Sequence, residues 1–148
     1  MRLTTFTDYG LRVLIHVASA PGGQTTIAQI AQAFAISENH LVKVVHLLGR
    51  AGLLVTTRGR GGGLRLARAP GHIRLGEVVR ITEGGDVPAE CFDHERNACA
   101  ILKVCRLPGV FIEALDAFYD TLDRYTLEDL LAPRAGIVAI LHDRRVAH

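Results

Sequence analysis

The stretch TIAQIAQAFAISENHLVKVVHLLGRAGLLVTTRGRGGGLRL, residues 26–66, contains two helix patterns followed by a hairpin pattern. The first helix begins at Thr26, because Thr26-Ile27-Ala28-Gln29 has the spacing of a capping box. The second begins after Ser37 and ends near Gly52. Its apolar residues recur at helical intervals, at Leu41, Val44, Val45 and Leu48. Two short helices joined by a tight turn predict a helix-turn-helix.

A glycine-rich basic turn follows these helices. Residues 53–57 and 64–67 have strand composition and flank the sequence RGRGGG at residues 58–63. This arrangement predicts a β-hairpin in the position of a wing. Because glycine lets the backbone approach DNA closely, Arg58 and Arg60 can reach a minor groove or its phosphates. The turn is not a nucleotide-binding P-loop, since the Gly-x4-Gly-Lys-Ser/Thr pattern is absent.

The remaining patterns are also helical. We expect a first helix capped by Thr7 and stopped by Pro21-Gly22-Gly23, and a fourth over residues 75–83. A long helix from Pro108 to about Tyr125 has an a/d seam, made of Phe111, Leu115, Phe118, Leu122 and Tyr125. The seam favours pairing with a second copy, and packing within one chain is the alternative. The expected fold is mainly α with a small β-hairpin: a winged helix-turn-helix plus a long C-terminal dimerisation helix.

We therefore divide the 148 residues into four parts. Residues 1–84 form the DNA-binding domain, 85–106 a cysteine-bearing loop, 107–131 the dimerisation helix and 132–148 a loosely attached tail. No run reaches the roughly 18 apolar residues of a membrane span, and no signal-peptide pattern precedes Thr7. We expect a cytoplasmic protein.

Charge is distributed unevenly although the net charge is only +2. Residues 37–74 hold seven basic residues and one acidic residue, and residues 107–131 hold six acidic residues and one basic residue. A basic block beside an acidic one suits a domain that meets phosphates and an arm that does not. Two ordinary solvated faces are the alternative.

Four polar residues lie at the exposed start of the predicted recognition helix: Ser37, Asn39, His40 and Lys43. Side chains there can enter a major groove. The Asn39 amide can pair with an adenine edge, and Lys43 can donate to guanine or phosphate. Taken singly, Ser37 is equally explained as a cap and Asn39 as a solvated residue. Beside a basic wing, the whole face predicts contact with double-stranded DNA.

All three cysteines of the chain, Cys91, Cys99 and Cys105, fall within fifteen residues. Their odd number argues against a disulfide framework, and their spacing lacks the Cys-x2-Cys pair of zinc ribbons. Widely spaced thiolates on a loop suit an iron–sulfur cluster, and His94 is the local candidate for a fourth ligand. A Cys3His zinc site is the runner-up. Three buried apolar cysteines are the third possibility, which the polar residues 93–97 disfavour.

Four segments together resemble the Rrf-type family of bacterial winged-helix regulators, and within it the nitric-oxide-sensing iron–sulfur repressors. They are residues 1–4 (MRLT), 7–12 (TDYGLR), 36–45 (ISENHLVKVV) and 58–63 (RGRGGG). The resemblance extends to about Leu130. It implies a homodimer with crossed long helices that represses transcription from a DNA operator and responds to nitric oxide.

The same resemblance implies a ligand set for the cluster. Three cysteines, which map onto Cys91, Cys99 and Cys105, are joined by a carboxylate from the partner's first helix, which maps onto Asp8. The cluster is expected to be [4Fe-4S], with [2Fe-2S] as the alternative. Another branch of the family has a histidine three residues past the last cysteine, where this chain has Pro108. By its residues alone, Asp8 is a helix-start acid that Arg12 can pair with.

Two other function classes compete with this interpretation. An enzyme with a reactive thiol would need a base near the cysteine, and only His94 and His72 offer one. A regulator without a cluster would be controlled by thiol oxidation instead. We expect no catalytic residue and a DNA-binding repressor.

Overall fold

A computed structural model describes residues 2–85, 89–93 and 97–143. Seven α-helices and one hairpin follow one another in these residues. The helices are α1 (Thr5–Ser19), α2 (Ile27–Phe34), α3 (Glu38–Arg50), α4 (Leu75–Glu83), α5 (Leu107–Leu122), α6 (Leu127–Leu130) and α7 (Arg134–His142), the strands β1 (Leu54–Thr57) and β2 (Gly63–Leu66). Single 3-10 turns cover Pro21–Gly23, Pro70–His72 and Glu90–Phe92. The mainly α winged-helix fold is confirmed.

The helix-turn-helix forms as its sequence predicts. Thr26 accepts from the Gln29 backbone N–H, and the Gln29 side chain accepts from the Thr26 N–H, which completes the capping box of α2. Ala35 takes a left-handed conformation (φ 53°) that turns the chain into α3. The predicted inner face of α3 is buried, with Leu41, Val44 and Leu48 all 0% exposed. The two helices are thus fixed to α1 by one apolar core.

The hairpin is antiparallel and pairs Leu54 with Leu66 and Thr57 with Gly63. An isolated bridge between Thr25 and Leu64 adds Thr25, two residues before α2, to its edge. Leu64 is 2% exposed and belongs to the core, whereas the tip residues lie outside it. The wing is therefore attached to the helix-turn-helix by both packing and backbone hydrogen bonds.

Two expectations about the ends of the chain are wrong. The N-cap of α1 is Thr4, whose hydroxyl accepts from the Thr7 N–H, while Thr7 itself is fully buried. Helix α7 occupies residues expected to be loosely attached, and it contacts α1. Arg134 Nη2 donates to the Ala18 carbonyl oxygen at 3.3 Å, which fastens the start of α7.

Helix α5 lies largely outside the core. None of its residues is fully buried in the described chain, and Val110 and Ile112 are 58% and 50% exposed. The seam residues Phe111 and Leu115 are half-buried, and Tyr125 lies beyond the helix end at 52% exposure. Within the described ranges, no helix combines the length and hydrophobicity of a membrane-spanning helix.

Candidate DNA interface and cysteine segment

The outer face of α3 presents polar side chains to solvent. Ser37, Asn39, His40 and Lys43, which the sequence assigns to DNA, are all exposed. Ser37 is the N-cap residue, but its side chain makes no capping hydrogen bond within the described residues, so its hydroxyl is available to a ligand. His40 lies beside Tyr9 of α1, with ring centroids 6.4 Å apart. Because the inner face of α3 is buried in the core, these side chains project from a rigid support.

Sequence reasoning missed one exposed apolar residue on this face. Val42 is 51% exposed between Asn39 and Lys43, although valine is one of the residue types most often buried. A valine on a recognition helix can contact the methyl group of thymine. The helical spacing from the buried Leu41 was the signal that could have placed Val42 on the outer face.

The wing tip holds Arg58 and Arg60 on an exposed turn. Gly59 and Gly61 have positive φ values of 91° and 79°, which residues with a side chain adopt only under strain. At Gly62 an added Cβ would lie 2.2 Å from the Thr57 carbonyl oxygen, so the backbone passes too closely for any larger residue. Glycine at these positions gives the tip its shape and leaves the two arginines pointing away from the hairpin core.

Gln24 braces this tip, a role that sequence reasoning did not assign. Its Nε2 donates to the Gly61 carbonyl oxygen at 2.7 Å. Its Oε1 accepts from Nε and Nη2 of Arg65 at 2.9 and 2.5 Å. Because the Gln24 amide carries no negative charge, it does not neutralise the positive charge of Arg65 beside the wing. The contacts join residues about forty positions apart in sequence, so no local pattern predicts them.

The remaining predicted site residue on α1 is Asp8, which is exposed. Its carboxylate forms the predicted pair with Arg12, at 2.9 Å between Asp8 Oδ2 and Arg12 Nη2. The Arg12 guanidinium also lies 5.6 Å from the Phe34 ring centroid. An exposed ion pair one helical turn apart contributes only a few tenths of a kcal/mol, about 0.3–0.5. A second contact, from Arg12 Nε to Asp8 Oδ1 at 3.1 Å, makes the pair bidentate, so a metal ion would compete with Arg12 for the exposed Asp8 carboxylate.

The cysteine segment follows α4 and precedes α5. All three thiols are free, with Cys99 exposed and Cys91 and Cys105 partly buried. Asn97 organises the local chain, because its amide donates to the Cys91 carbonyl oxygen and its Oδ1 accepts from the Cys99 N–H. The Leu107 N–H donates to Cys105 Sγ at 3.4 Å. Free thiols on an accessible segment, one of which accepts a backbone N–H bond, are a donor set that fits an iron–sulfur cluster.

One chain does not assemble these thiols into a finished site. Among residues 2–85, 89–93 and 97–143, no group of three or more His, Cys, Asp and Glu side chains is placed to hold a metal ion. The runner-up ligand His94 lies outside the described residues. The candidate ligands therefore lie on two separate elements of the chain, α1 and the cysteine segment.

A polar cluster joins α1 to the end of α4. The Glu83 carboxylate accepts from the Thr4 N–H at 2.9 Å, from the Thr4 hydroxyl at 3.0 Å and from the Thr7 hydroxyl. Thr7 Oγ1 also lies 2.8 Å from Thr82 Oγ1, within hydrogen-bond distance. Burial raises the pKa of Glu83, but the hydroxyl and backbone donors outweigh it and hold the pKa below its usual value. We call these four residues the α1–α4 joint.

The joint connects α1, which carries Asp8, to the end of α4, which precedes the cysteine segment in sequence. Asp8 follows Thr7 directly in α1, and the chain leaves α4 after Glu83 towards Cys91. A threonine at a helix start is usually interpreted as a cap, so Thr7 gave no sequence signal of a long-range contact.

Comparison with known proteins places this geometry in one family. The model of the Rrf2 family, described as an iron-dependent transcriptional regulator, matches residues 3–133. The HTH-type transcriptional regulator NsrR of Bacillus subtilis (strain 168) is 49% identical over 142 residues, covering 95% of this chain and 97% of the relative. The protein of the same name from Geobacillus kaustophilus (strain HTA426) is 47% identical over 146 residues, covering 98% and 99%.

Solved structures agree with this assignment. CymR (YrzC), the global cysteine regulator of B. subtilis, superposes with a TM-score of 0.70 at 33% identity, covering 89% of this chain and 97% of that one. IscR of T. potens superposes with a TM-score of 0.71 at 27% identity, covering 90% and 88%. The relatives and the fold are those of transcriptional regulators and not of enzymes.

Proposed function

The chain belongs to the Rrf2 family of transcriptional regulators, and we propose that it is a homodimeric repressor whose operator affinity is controlled by nitric oxide through an iron–sulfur cluster. The observation that carries the proposal is the position of three free cysteines on the segment directly after a winged helix-turn-helix. The resemblance of four segments to nitric-oxide-sensing repressors supports the choice of signal.

The DNA-binding surface consists of the α3 face and the wing tip. Asn39 and Lys43 contact base edges in the major groove, with Ser37 and His40 beside them at the start of the helix. Arg58 and Arg60 contact the minor groove or the phosphates. Two copies of this surface, related by two-fold symmetry through α5, would bind a palindromic operator. The exposed Val110 and Ile112 support pairing of α5, because large apolar side chains on a helix favour a covering partner.

Cys91, Cys99 and Cys105 of one chain would hold the cluster together with Asp8 of the partner subunit. When bound, the cluster supplies iron that reacts with nitric oxide. Cys99 is accessible from solvent, and its backbone N–H donates to Asn97 Oδ1. Asp8 is available because its exposed pair with Arg12 is weak. A [4Fe-4S] cluster is proposed, and [2Fe-2S] is the alternative.

The coupling to DNA follows from how α1 is fixed. Val13, Leu14 and Val17 are at most 1% exposed and pack in the same core as Leu41 and Leu48 of α3. A ligand bond at Asp8 therefore fixes the orientation of the whole DNA-binding unit and not only of one side chain. Without that bond, the distance between the two recognition helices of the dimer would no longer be held at the value that the operator half-sites require. A coupling of about 1–3 kcal/mol changes affinity about 5- to 150-fold.

The test compares cluster content and DNA binding in the same anaerobic sample. We expect brown protein with acid-labile sulfide that binds a duplex selected by that protein from a random-sequence pool. Nitric oxide should bleach the absorption and lower the affinity of the protein for the duplex in parallel. Cys99→Ala should prevent cluster retention. Asp8→Ala should give a less stable cluster and a lower affinity for the duplex. Asp116→Ala, which removes an exposed carboxylate on α5, serves as the control.

Other results would replace the proposal. Colourless protein with one zinc per chain would favour a Cys3His site, for which His94→Ala is the diagnostic variant. Iron-free protein that leaves DNA only when its thiols are oxidised would favour a cluster-free redox regulator. Equal DNA affinity before and after bleaching would exclude control of DNA binding by nitric oxide.

The DNA surface is tested independently by the salt dependence of binding. Arg58→Ala and Arg60→Ala should each make the plot of log affinity against log salt less steep by about one per chain, with unchanged sequence preference. Asn39→Ala should instead cost about 1–3 kcal/mol and relax the preference at one base pair. Arg124→Ala, an exposed arginine after α5, should change neither property. An unaltered slope in both wing variants would remove the wing from the interface.

A further inference from the structure

A cavity of about 590 Å³ lies between α1, α2 and α7, away from the DNA surface and the cysteine segment. Its lining is mainly polar and includes His16 of α1, Gln29 and Gln32 of α2, and His142 of α7. Neither the DNA-binding surface nor the proposed cluster uses these residues. The cavity is within the size range of small ligand sites in proteins.

His16 is the anomaly in this cavity. Its side chain is 1% exposed, and within the described residues neither ring nitrogen has a hydrogen-bond partner. Buried polar atoms are nearly always paired, so an unpaired imidazole at a cavity wall indicates a partner that binds there. Burial, together with His142, lowers the pKa of His16 to about 4, so the ring is neutral at pH 7.

The neighbouring His142 contacts Ser19, whose hydroxyl lies 2.9 Å from His142 Nε2. Ser19 Oγ also donates to the His16 carbonyl oxygen at 3.2 Å. When the single Ser19 proton makes that bond, the imidazole is the donor in the Ser19–His142 contact. Nδ1 of His142 then carries a lone pair, and burial also lowers the pKa of this ring. The two neutral rings approach to 4.3 Å between centroids at an angle of 63°.

We propose that His16 and His142 form a two-imidazole site for a divalent transition-metal ion of the Zn²⁺ class. Neutral imidazole is a preferred ligand of such ions. The hydrogen bond from His142 to Ser19 is the outer contact that orients a metal-binding histidine. Among the described residues, the lining includes no lysine or arginine, which favours a cation over an anion.

The protein supplies two ligands and solvent completes the coordination. No third His, Cys, Asp or Glu joins the two rings closely enough among the described residues, so the ion remains hydrated and exchangeable. Because His16 belongs to α1 and His142 to the last turn of α7, the ion would fasten the end of α7 to the DNA-binding unit. This site is independent of the cysteines and of the proposed cluster.

Calorimetric titration with Zn²⁺ tests the proposal on the full chain after its three cysteines have been alkylated with iodoacetamide. We expect one ion per chain, and slower hydrogen exchange over residues 134–142 when it binds. His16→Gln and His142→Gln should each abolish this binding. Ser19→Ala should weaken it about 10- to 100-fold, because the tautomer of His142 is no longer fixed. His72→Gln, an exposed histidine in a 3-10 turn, should bind as the unmodified sequence does.

Circular dichroism and a melting curve establish that each variant is folded. His142→Gln keeps the test decisive if His16→Gln does not fold, since His142 is only partly buried at the end of a short helix. Absence of zinc binding in the alkylated chain would overturn the proposal. Undiminished binding in folded His142→Gln would do the same, since the ion would then lie elsewhere.

Discussion

Replacing Thr7 with valine removes one hydroxyl from the α1–α4 joint at almost constant side-chain volume. Thr7 is 0% exposed, and its hydroxyl bonds to the Glu83 carboxylate and to Thr82. Valine leaves the carboxylate with the two donors from Thr4 and places a methyl group beside a charge. Losing a hydrogen bond to a charged group costs about 1.5–3 kcal/mol, so we expect a loss near 2 kcal/mol.

For a chain of this length, that loss corresponds to a melting temperature lower by about 4–8 °C. The assay is urea and thermal unfolding of the unmodified and substituted chains at pH 7.5. Thr5→Val is the matched control, because Thr5 is exposed two residues away on the same helix and should change stability by less than about 0.5 kcal/mol. Equal stability of Thr7→Val and Thr5→Val would refute the energetic role of the joint.

The two remaining predictions concern the wing and the buried histidine. Gly62→Ala should distort the hairpin and weaken DNA binding, because its Cβ would lie 2.2 Å from the Thr57 carbonyl oxygen. Gly136→Ala should not weaken binding, because the nearest atom to its Cβ would be 4.0 Å away. Gel-shift titrations of both variants measure the difference. His16 has a pKa near 4 when folded and 6.5 as its ordinary value, so the unfolded chain takes up the proton first. Stability should be complete above pH 6.5 and fall by about 2 kcal/mol on going to pH 5, as measured by urea unfolding. A pH slope that is the same in His16→Gln would exclude His16 as its source.

The helix-turn-helix and the hairpin could be predicted because their signals are local. The Thr26–Gln29 capping box and the spacing of Leu41, Val44 and Leu48 each act within a few residues, and the structure forms all of them. The glycines of the wing act locally as well, since each is required by the backbone at its own position. Such signals need no knowledge of the tertiary arrangement.

The features that could not be predicted depend on residues far apart in sequence. Thr7 is of a residue type that often caps helices, but its hydroxyl bonds to Glu83, 76 residues away. Thr4 caps the helix instead. We expect residues 132–148 to be loosely attached because chain termini usually are, yet contacts with Ala18 and Ser19 hold α7 on α1. The Gln24 brace and the His16–His142 pair likewise exist only after the chain has folded. The partners of Asp8 and the cysteines stay predictions because they involve a second chain.

The coupling we propose requires that Asp8 be rigidly attached to the DNA-binding unit. The elements between Thr4 and Glu83 share one core, and the α1–α4 joint closes its two ends onto each other. Helix α5 has no fully buried residue in the described chain, and the cysteines lie between α4 and α5 in sequence. A bond between Asp8 of the partner subunit and a group held by these cysteines would therefore fix the orientation of the partner's DNA-binding unit. Weakening the joint, as in Thr7→Val, should therefore lower the difference in DNA affinity between the two states more than it lowers the affinity of either state alone.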